Sequence, residues 1–196
     1  MKLFKSERRL QKISSAVKSR QFTLRVVLEN IHDPHNVSAI FRTCDAVGVP
    51  KVSLIYYLEK FPRIGKKSSA SAFKWVENEK FRSVNECYES LRKEGFTIYA
   101  STISDDAIDL YKIDLTKKIA IVLGNEHRGV SDEAVKLADK KFKIPMCGMV
   151  QSLNVSVAAA IVLYEALRQR MKKGFYEKSE LSENTLDELI EKWARK

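Results

Sequence analysis

The sequence predicts an α/β protein with a mostly parallel sheet flanked by helices, and three observations support this prediction. Short runs rich in β-branched and large apolar residues alternate with segments of helical periodicity along most of the 196-residue chain. Helix-capping residues and glycines separate these segments. A polar loop follows several of the predicted strands, which is where sheets of this class bind their ligands.

The first sixty residues predict a strand, a helix and a second strand. Residues 24–31 (LRVVLENI) and 51–57 (KVSLIYY) are β-rich runs. Between them, Asp33 suits the N-cap of a helix and Pro34 its first position, and Gly48 is expected to end that helix. Two strands joined by one helix pair in parallel, so this unit predicts the parallel sheet.

The remaining chain continues the alternation. It predicts a helix at 83–94, strands at 96–102 and 118–123, a helix capped by Ser131, and a short strand at 142–146. A last helix from Glu183 carries an apolar stripe that needs a partner surface.

Residues 144–170 contain the most apolar helix of the chain. We expect this helix to begin at Gln151 and to be buried, because it is apolar nearly all round. Ser152 and Asn154 suit its start as capping residues. Free main-chain N–H groups at such a start can bind a small ligand, and a plain capped core helix is the alternative.

The positive charge is uneven along the chain. The formal net charge is +10, with basic residues concentrated in a predicted amphipathic helix at 4–19 and in a long loop at 58–75. Such patches favour a nucleic-acid partner, and Phe61, Phe73 and Trp75 of the loop could stack on unpaired bases. The alternatives are a helix packed on its own domain and a loop whose aromatic residues lie in the core.

Several other functional classes lack their motifs. The turn GNEHRG at 124–129 is neither a P-loop nor a dinucleotide-binding loop, and Ser152 has no nucleophile elbow. The three histidines lack the spacing of metal ligands, so we expect no metal. No apolar run is long enough to span a membrane. Cys44, Cys87 and Cys147 form no CxxC pair, which favours a reducing, cytoplasmic setting.

Three motifs in this order closely resemble the SpoU family of RNA 2′-O-methyltransferases, in the SPOUT superfamily. They are NVSAIFR at 36–42, IVLGNEHRGVSDE at 121–133 and IPMCGMVQSLNVSVAAAIVLYEALR at 144–168. The basic N-terminal helix and the C-terminal extension resemble the subgroup that methylates guanosine 18 of transfer RNA.

This resemblance implies a fold, a cofactor and partners. The fold is a SPOUT-type α/β sheet with a deep C-terminal trefoil knot. The cofactor is S-adenosylmethionine, the substrate is tRNA and the assembly is a homodimer. The regions implied are a basic RNA-binding arm at 1–20, a methyltransferase core at 21–170 and a helical extension at 171–196.

The resemblance also implies site residues. Arg42 is the catalytic arginine, Asn36 holds its geometry, and Glu126, Ser152 and Asn154 are polar residues of the other motifs. Either Arg42 removes the proton of the ribose 2′-hydroxyl, or it fixes phosphate and ribose while Glu126 or water takes the proton. The implied cofactor contacts are Thr102, Gly124, Ile144, Met146, Ser152 and Leu153. The implied RNA contacts are Arg8, Arg9, His35, Lys66, Lys67 and Arg168.

Overall fold

A single seven-stranded sheet organises the computed structural model, which describes residues 6–62 and 72–196. The strands are β1 (Leu24–Glu29), β2 (Lys51–Ile55), β3 (Glu77–Phe81), β4 (Thr97–Ser101), β5 (Ile108–Asp109), β6 (Ile119–Leu123) and β7 (Lys140–Lys143). They lie in the order β3-β2-β1-β6-β4-β7-β5, and each pair of neighbours is parallel. The predicted parallel α/β sheet is therefore confirmed.

Helices cover both faces of the sheet. They are α1 (Glu7–Lys18), α2 (Pro34–Val47), α3 (Ala72–Trp75), α4 (Val84–Lys93), α5 (Asp132–Leu137), α6 (Val155–Lys172) and α7 (Glu183–Arg195). In β1, Val26 and Leu28 face the core formed with α2 and α6, whereas Val27 faces the core formed with α4 and α5. Because both faces of β1 are buried, its apolar residues Val26, Val27 and Leu28 are consecutive rather than alternating with polar ones.

Some of the sequence-based boundaries are wrong. The strand predicted at 142–146 is β7, at Lys140–Lys143, and strand β3 was not predicted at all. The sequence of β3, ENEKF, is polar because the strand lies at the edge of the sheet and is largely exposed. A strand that buries neither face has no apolar pattern by which to recognise it.

The prediction for α6 is wrong in two respects. The helix begins at Val155 rather than at Gln151, because Asn154 caps it and the residues before Asn154 are not helical. It is also not buried all round: Val157, Tyr164 and Met171 are 47%, 53% and 59% exposed. These residues lie on one stripe of the helix, away from the face that contacts α2.

The two ends of the chain pack against each other. Ile13 and Val17 of α1 are buried with Trp193 of α7, so the apolar stripes of the two terminal helices cover one another. Nearby, Gly48 ends α2 as predicted, with φ +84°, and a Cβ there would lie 2.5 Å from the carbonyl oxygen of Ser19. Glycine therefore permits the close approach of α1 to the end of α2.

The aromatic residues between 58 and 75 are packed into the protein. Phe73 stacks on Phe41 of α2, Phe61 lies edge-on to Tyr56, and Trp75 packs on Trp193. The expectation that they stack on RNA bases is therefore wrong, and the core alternative holds.

No helix in the described ranges is long and apolar enough to cross a membrane. The trefoil knot stays a prediction.

Candidate active site

The three motifs are joined by hydrogen bonds at the carboxyl edge of the sheet. Glu126, in the turn after β6, accepts from the main-chain N–H of His32 (3.0 Å) and of Asp33 (3.1 Å) and from Asn36 Nδ2 (2.9 Å). Asn36 Oδ1 in turn accepts from Asn154 Nδ2 at 3.0 Å. One connected network thus links the loop after β1, the turn after β6 and the start of α6.

The capping of two helices places the two asparagines of this network. Asp33 caps α2 by accepting from the main-chain N–H of His35 at 2.8 Å, and Pro34 occupies the first turn, as predicted. Asn154 caps α6 with its Oδ1 atom, which accepts from the N–H of Ser156 and of Val157. Because only Oδ1 is used as the cap, Nδ2 of Asn154 remains available to Asn36.

A tight turn presents Glu126. A Cβ on Gly124 would lie 2.1 Å from main-chain atoms of Gly129 and Val130, so glycine is required where the turn folds back on itself. Asn125 Oδ1 accepts from the main-chain N–H of His127 and of Arg128. The carboxylate between these residues is consequently held on a rigid backbone.

Glu126 is an ionised carboxylate at neutral pH. Burial is the largest single influence on its pKa and raises it, but the hydrogen bonds from Asn36, His32 and Asp33 together outweigh burial and lower the pKa below its ordinary value. Both oxygens accept from fixed N–H donors. This arrangement suits a positioning role better than proton abstraction.

Arg42 lies on the exposed side of α2. Within residues 6–62 and 72–196, no carboxylate pairs with it. Asp45, on the next turn of α2, pairs with Arg20 instead. A guanidinium carries five N–H donors in a planar fork, so Arg42 can bind a phosphate group in a bidentate manner.

Residues 144–153 cross the carboxyl edge of the sheet. They start at the end of β7 and lead into Asn154, which contacts Asn36 beside the end of β1. Because β4 and β6 lie between β7 and β1 in the sheet, the segment passes the ends of both strands. Three strand spacings are about 14 Å, well within the reach of about 33 Å of ten extended residues. We call residues 144–153 the crossing segment.

The crossing segment fits a ligand that is held by main-chain groups. No hydrogen bond within the described part of the chain uses the main chain of residues 145–153. Met149 is 99% exposed and Val150 63%. Unpaired main-chain groups and exposed apolar side chains together form a surface that can hold a ligand with polar and apolar parts.

The implied cofactor residues all lie at this edge. Thr102 follows β4 and donates its N–H to the carbonyl oxygen of Phe142 at 2.9 Å, and Gly124 follows β6. The other four belong to the crossing segment: Ile144, Met146, Ser152 and Leu153. Ser152 is exposed, and no other described residue makes a hydrogen bond to its hydroxyl group.

The implied RNA contacts are dispersed. Arg8 and Arg9 are exposed on α1, whose last turn lies at the amino edge of the sheet, opposite the network. His35 is exposed at the start of α2, and Arg168 is exposed on α6, where it makes two 2.8 Å hydrogen bonds to Glu165. Lys66 and Lys67 lie outside the described residues.

The described ranges contain no group of three metal-ligating side chains.

Sequence reasoning missed the buried Asn30, which contacts both neighbouring loops. An asparagine directly after a buried strand was the available signal, because asparagine tolerates a left-handed backbone.

The chain is similar in sequence and in structure to known methyltransferases. The model of the SpoU rRNA Methylase family matches residues 23–164. The tRNA (guanosine(18)-2′-O)-methyltransferase of Thermus thermophilus is 44% identical over 98% of both chains. The crystal structure of a TrmH/SpoU tRNA-modifying enzyme from A. aeolicus superposes with a TM-score of 0.89, at 42% identity and 96% coverage of both chains. The SpoU methyltransferase AviRb of Streptomyces viridochromogenes, in complex with AdoMet, superposes with a TM-score of 0.68, at 26% identity over 79% of this chain and 62% of that one.

A parallel sheet with three linked polar loops at its carboxyl edge defines an α/β ligand-binding protein. Within that class, the chain belongs to the SpoU methylase family.

Proposed function

We infer that this protein is a tRNA 2′-O-methyltransferase that uses S-adenosylmethionine and methylates the ribose of guanosine 18. The observation that carries this inference is the 44% identity to a relative of that name over 98% of both chains. The match includes both terminal helices as well as the core. The intact Asn36–Glu126–Asn154 network supports a working enzyme rather than a binding-only relative. A tRNA substrate and cysteines without disulfide bonds favour a cytoplasmic location.

The crossing segment, with Thr102 and Gly124, would hold the cofactor through main-chain groups. When bound, S-adenosylmethionine would supply an electrophilic methyl group on its sulfonium, which the ribose 2′-oxygen would take with S-adenosylhomocysteine as the leaving group. The protein residues then have to orient the ribose and exclude competing water. Ser152 lies two residues before Asn154 and can reach a ligand there through its free hydroxyl group.

Arg42 fixes the RNA phosphate beside the target ribose in this proposal, and water takes the hydroxyl proton. The guanidinium has donors but no acceptor, so its chemistry favours clamping. Glu126 is assigned to positioning, because its oxygens already accept three hydrogen bonds. Asn36 bonds both Glu126 and Asn154, so it fixes the turn after β6 relative to the end of the crossing segment.

Replacing Glu126 with glutamine tests that assignment. The amide would present an N–H₂ group to an N–H donor, so we expect a loss of about 1–3 kcal/mol of folding free energy and a lower rate. The pH–rate profile should keep its shape, because the carboxylate is not the base. Loss of the low-pH limb in the variant would instead identify Glu126 as the base.

The same residue contributes to acid stability. A carboxylate whose pKa is lowered on folding stabilises the protein above its ordinary pKa of about 4.5, and this contribution is lost as the pH falls through the lowered value. Comparing urea unfolding at pH 7 and pH 3 should therefore show a smaller acid effect in Glu126→Gln than in the wild type.

The arm of α1 would bind RNA phosphates. Replacing Arg8 and Arg9 with glutamine should weaken tRNA binding and reduce the slope of log K against log salt concentration by about 2, one for each lost contact. Titrations at several salt concentrations measure this slope. Both residues are exposed, so the fold should be unaffected. An unchanged slope would remove these two residues from the RNA interface.

The apolar stripe of α6 would form a homodimer interface. Val157, Tyr164 and Met171 are exposed two turns apart on one side of α6, and the half-buried Ile161 lies between the first two. A row of exposed apolar side chains along one side of a helix marks an interaction surface. A second copy of the chain is the occupant we propose.

Replacing Tyr164 with glutamate should convert the dimer into a monomer in sedimentation experiments, because a charge would be buried at the interface. Tyr111→Glu is the matched control, since Tyr111 is 61% exposed and lies outside α6, after β5. A dimer that survives Tyr164→Glu, or that is lost equally in Tyr111→Glu, would contradict this interface.

A further inference from the structure

Asn30 has an unusual backbone for its residue type. Its φ angle is +50°, the only positive value for a non-glycine residue in the described ranges, and the residue is 3% exposed. It follows β1 directly and precedes the loop whose main-chain N–H groups, those of His32 and Asp33, bind the carboxylate of Glu126. A strained, buried residue at the edge of a site is retained where the surrounding contacts require it.

Two groups of Asn30 hold two different loops. Its side-chain Oδ1 accepts from three successive main-chain N–H groups, those of Tyr57 (3.1 Å), Leu58 (3.2 Å) and Glu59 (3.3 Å). Its carbonyl oxygen accepts from Asn125 Nδ2 at 2.7 Å. The left-handed backbone directs that carbonyl to the turn after β6 while the side chain reaches the loop after β2.

These contacts close a ring. Glu59 Oε1 accepts from Arg128 Nη2 at 2.8 Å, and the main-chain N–H of Arg128 donates to Asn125 Oδ1 at 3.2 Å. Asn125 then returns to Asn30. Glu126 lies between Asn125 and Arg128, so the ring restrains the backbone on both sides of the site carboxylate. The roles so far assigned to Arg42, Asn36 and Glu126 do not use this ring.

We propose that Asn30 is a positioning residue for methyl transfer. It couples residues 56–62, where the basic stretch begins, to the turn at 124–129. RNA bound along residues 56–62 is thereby held in a fixed position relative to Glu126 and its hydrogen-bond network. The proposal rests on the proposed function. Its effect is indirect, because Asn30 is only 3% exposed and is therefore inaccessible to RNA and cofactor.

Two substitutions separate the two halves of the coupling. Asn30→Gly keeps the left-handed backbone but removes the side chain, so the amide protons of 57–59 should exchange at least about 10-fold faster while those of His127 and Arg128 stay unchanged. Asn30→Ala also disfavours the backbone conformation, so the amides of both loops should exchange faster. Equal exchange of residues 57–59 in wild type and Asn30→Gly would overturn the coupling.

Turnover provides the second readout. Counted per cofactor-binding site, kcat should fall about 10-fold in Asn30→Gly and towards about 100-fold in Asn30→Ala, with a much smaller change in KM for RNA. Tyr88→Phe is the control for lost stability alone, because it removes a buried hydrogen bond to Ala134 on the other face of the sheet. An unchanged kcat in both Asn30 variants, or an equal loss in Tyr88→Phe, would overturn the positioning role. If the wild-type protein transferred no methyl group, the proposed function would be refuted. The amide exchange rates of residues 57–59 would still test whether Asn30 couples the two loops.

Discussion

Replacing Arg42 with alanine should reduce methyl transfer by at least about 100-fold while leaving stability almost unchanged. Removing one preorganised donor from a site commonly costs 10²–10³ in rate, on the order of the effect expected here. Arg42 is exposed and pairs with no carboxylate in the described ranges, so the free energy of unfolding should change by no more than about 0.5 kcal/mol. Single-turnover rates with saturating cofactor and tRNA measure the effect.

Two further variants make this result specific. Arg42→Lys keeps the charge but loses the planar fork, so it should recover only part of the rate. Arg195→Ala removes an 80% exposed arginine from the end of α7 and should leave the rate unchanged. Full activity in Arg42→Ala, or full rescue by lysine, would show that Arg42 does not clamp a phosphate in the way proposed.

Replacing Arg170 with methionine should destabilise the protein by at least about 3 kcal/mol, because several buried acceptors would lose their donor at a cost of about 1–3 kcal/mol each. Arg170 is fully buried and donates to the carbonyl oxygens of Leu115, Thr23 and Lys117 and to the side chains of Gln21 and Thr23. Methionine fills the space but leaves these acceptors without donors. The free energy of unfolding in urea measures the loss.

Arg168 provides the matched control, because it lies two residues earlier on the same helix and its side chain is 65% exposed. Arg168→Met loses only its hydrogen bonds to Glu165, so it should destabilise the protein less than Arg170→Met. Arg170→Lys should not restore stability, because one ammonium group cannot replace donors spread over a planar fork. If Arg170→Met were as stable as Arg168→Met, the buried network would be making no net contribution.

The sequence predicted the sheet because its central strands are buried on both faces. A strand that is buried on both faces is a continuous apolar run, as in β6 at Ile119–Leu123. The edge strand β3 could not be recognised, since an exposed strand has no apolar pattern. The exposed side of α6 could not be predicted either. The sequence does not distinguish an apolar residue that packs in the core from one that lies on the surface.

The candidate site was predictable in its residue types but not in its bonding. Motif positions placed Asn36, Glu126 and Asn154 at one edge of the sheet. Two of the three donors to Glu126 are main-chain N–H groups, which every residue except proline carries. No sequence pattern distinguishes them, and the same holds for the amides that Asn30 accepts.

The most direct test of the account uses two tRNA transcripts that differ in one oxygen atom. One transcript carries guanosine at position 18, and the other carries 2′-deoxyguanosine there. Both are incubated with the wild-type protein and S-adenosylmethionine labelled in the methyl group. We expect stoichiometric label on the first transcript, at the ribose of guanosine 18, and none on the second. Equal labelling of both transcripts, or labelling of a 23S ribosomal RNA fragment instead of tRNA, would contradict the proposed function.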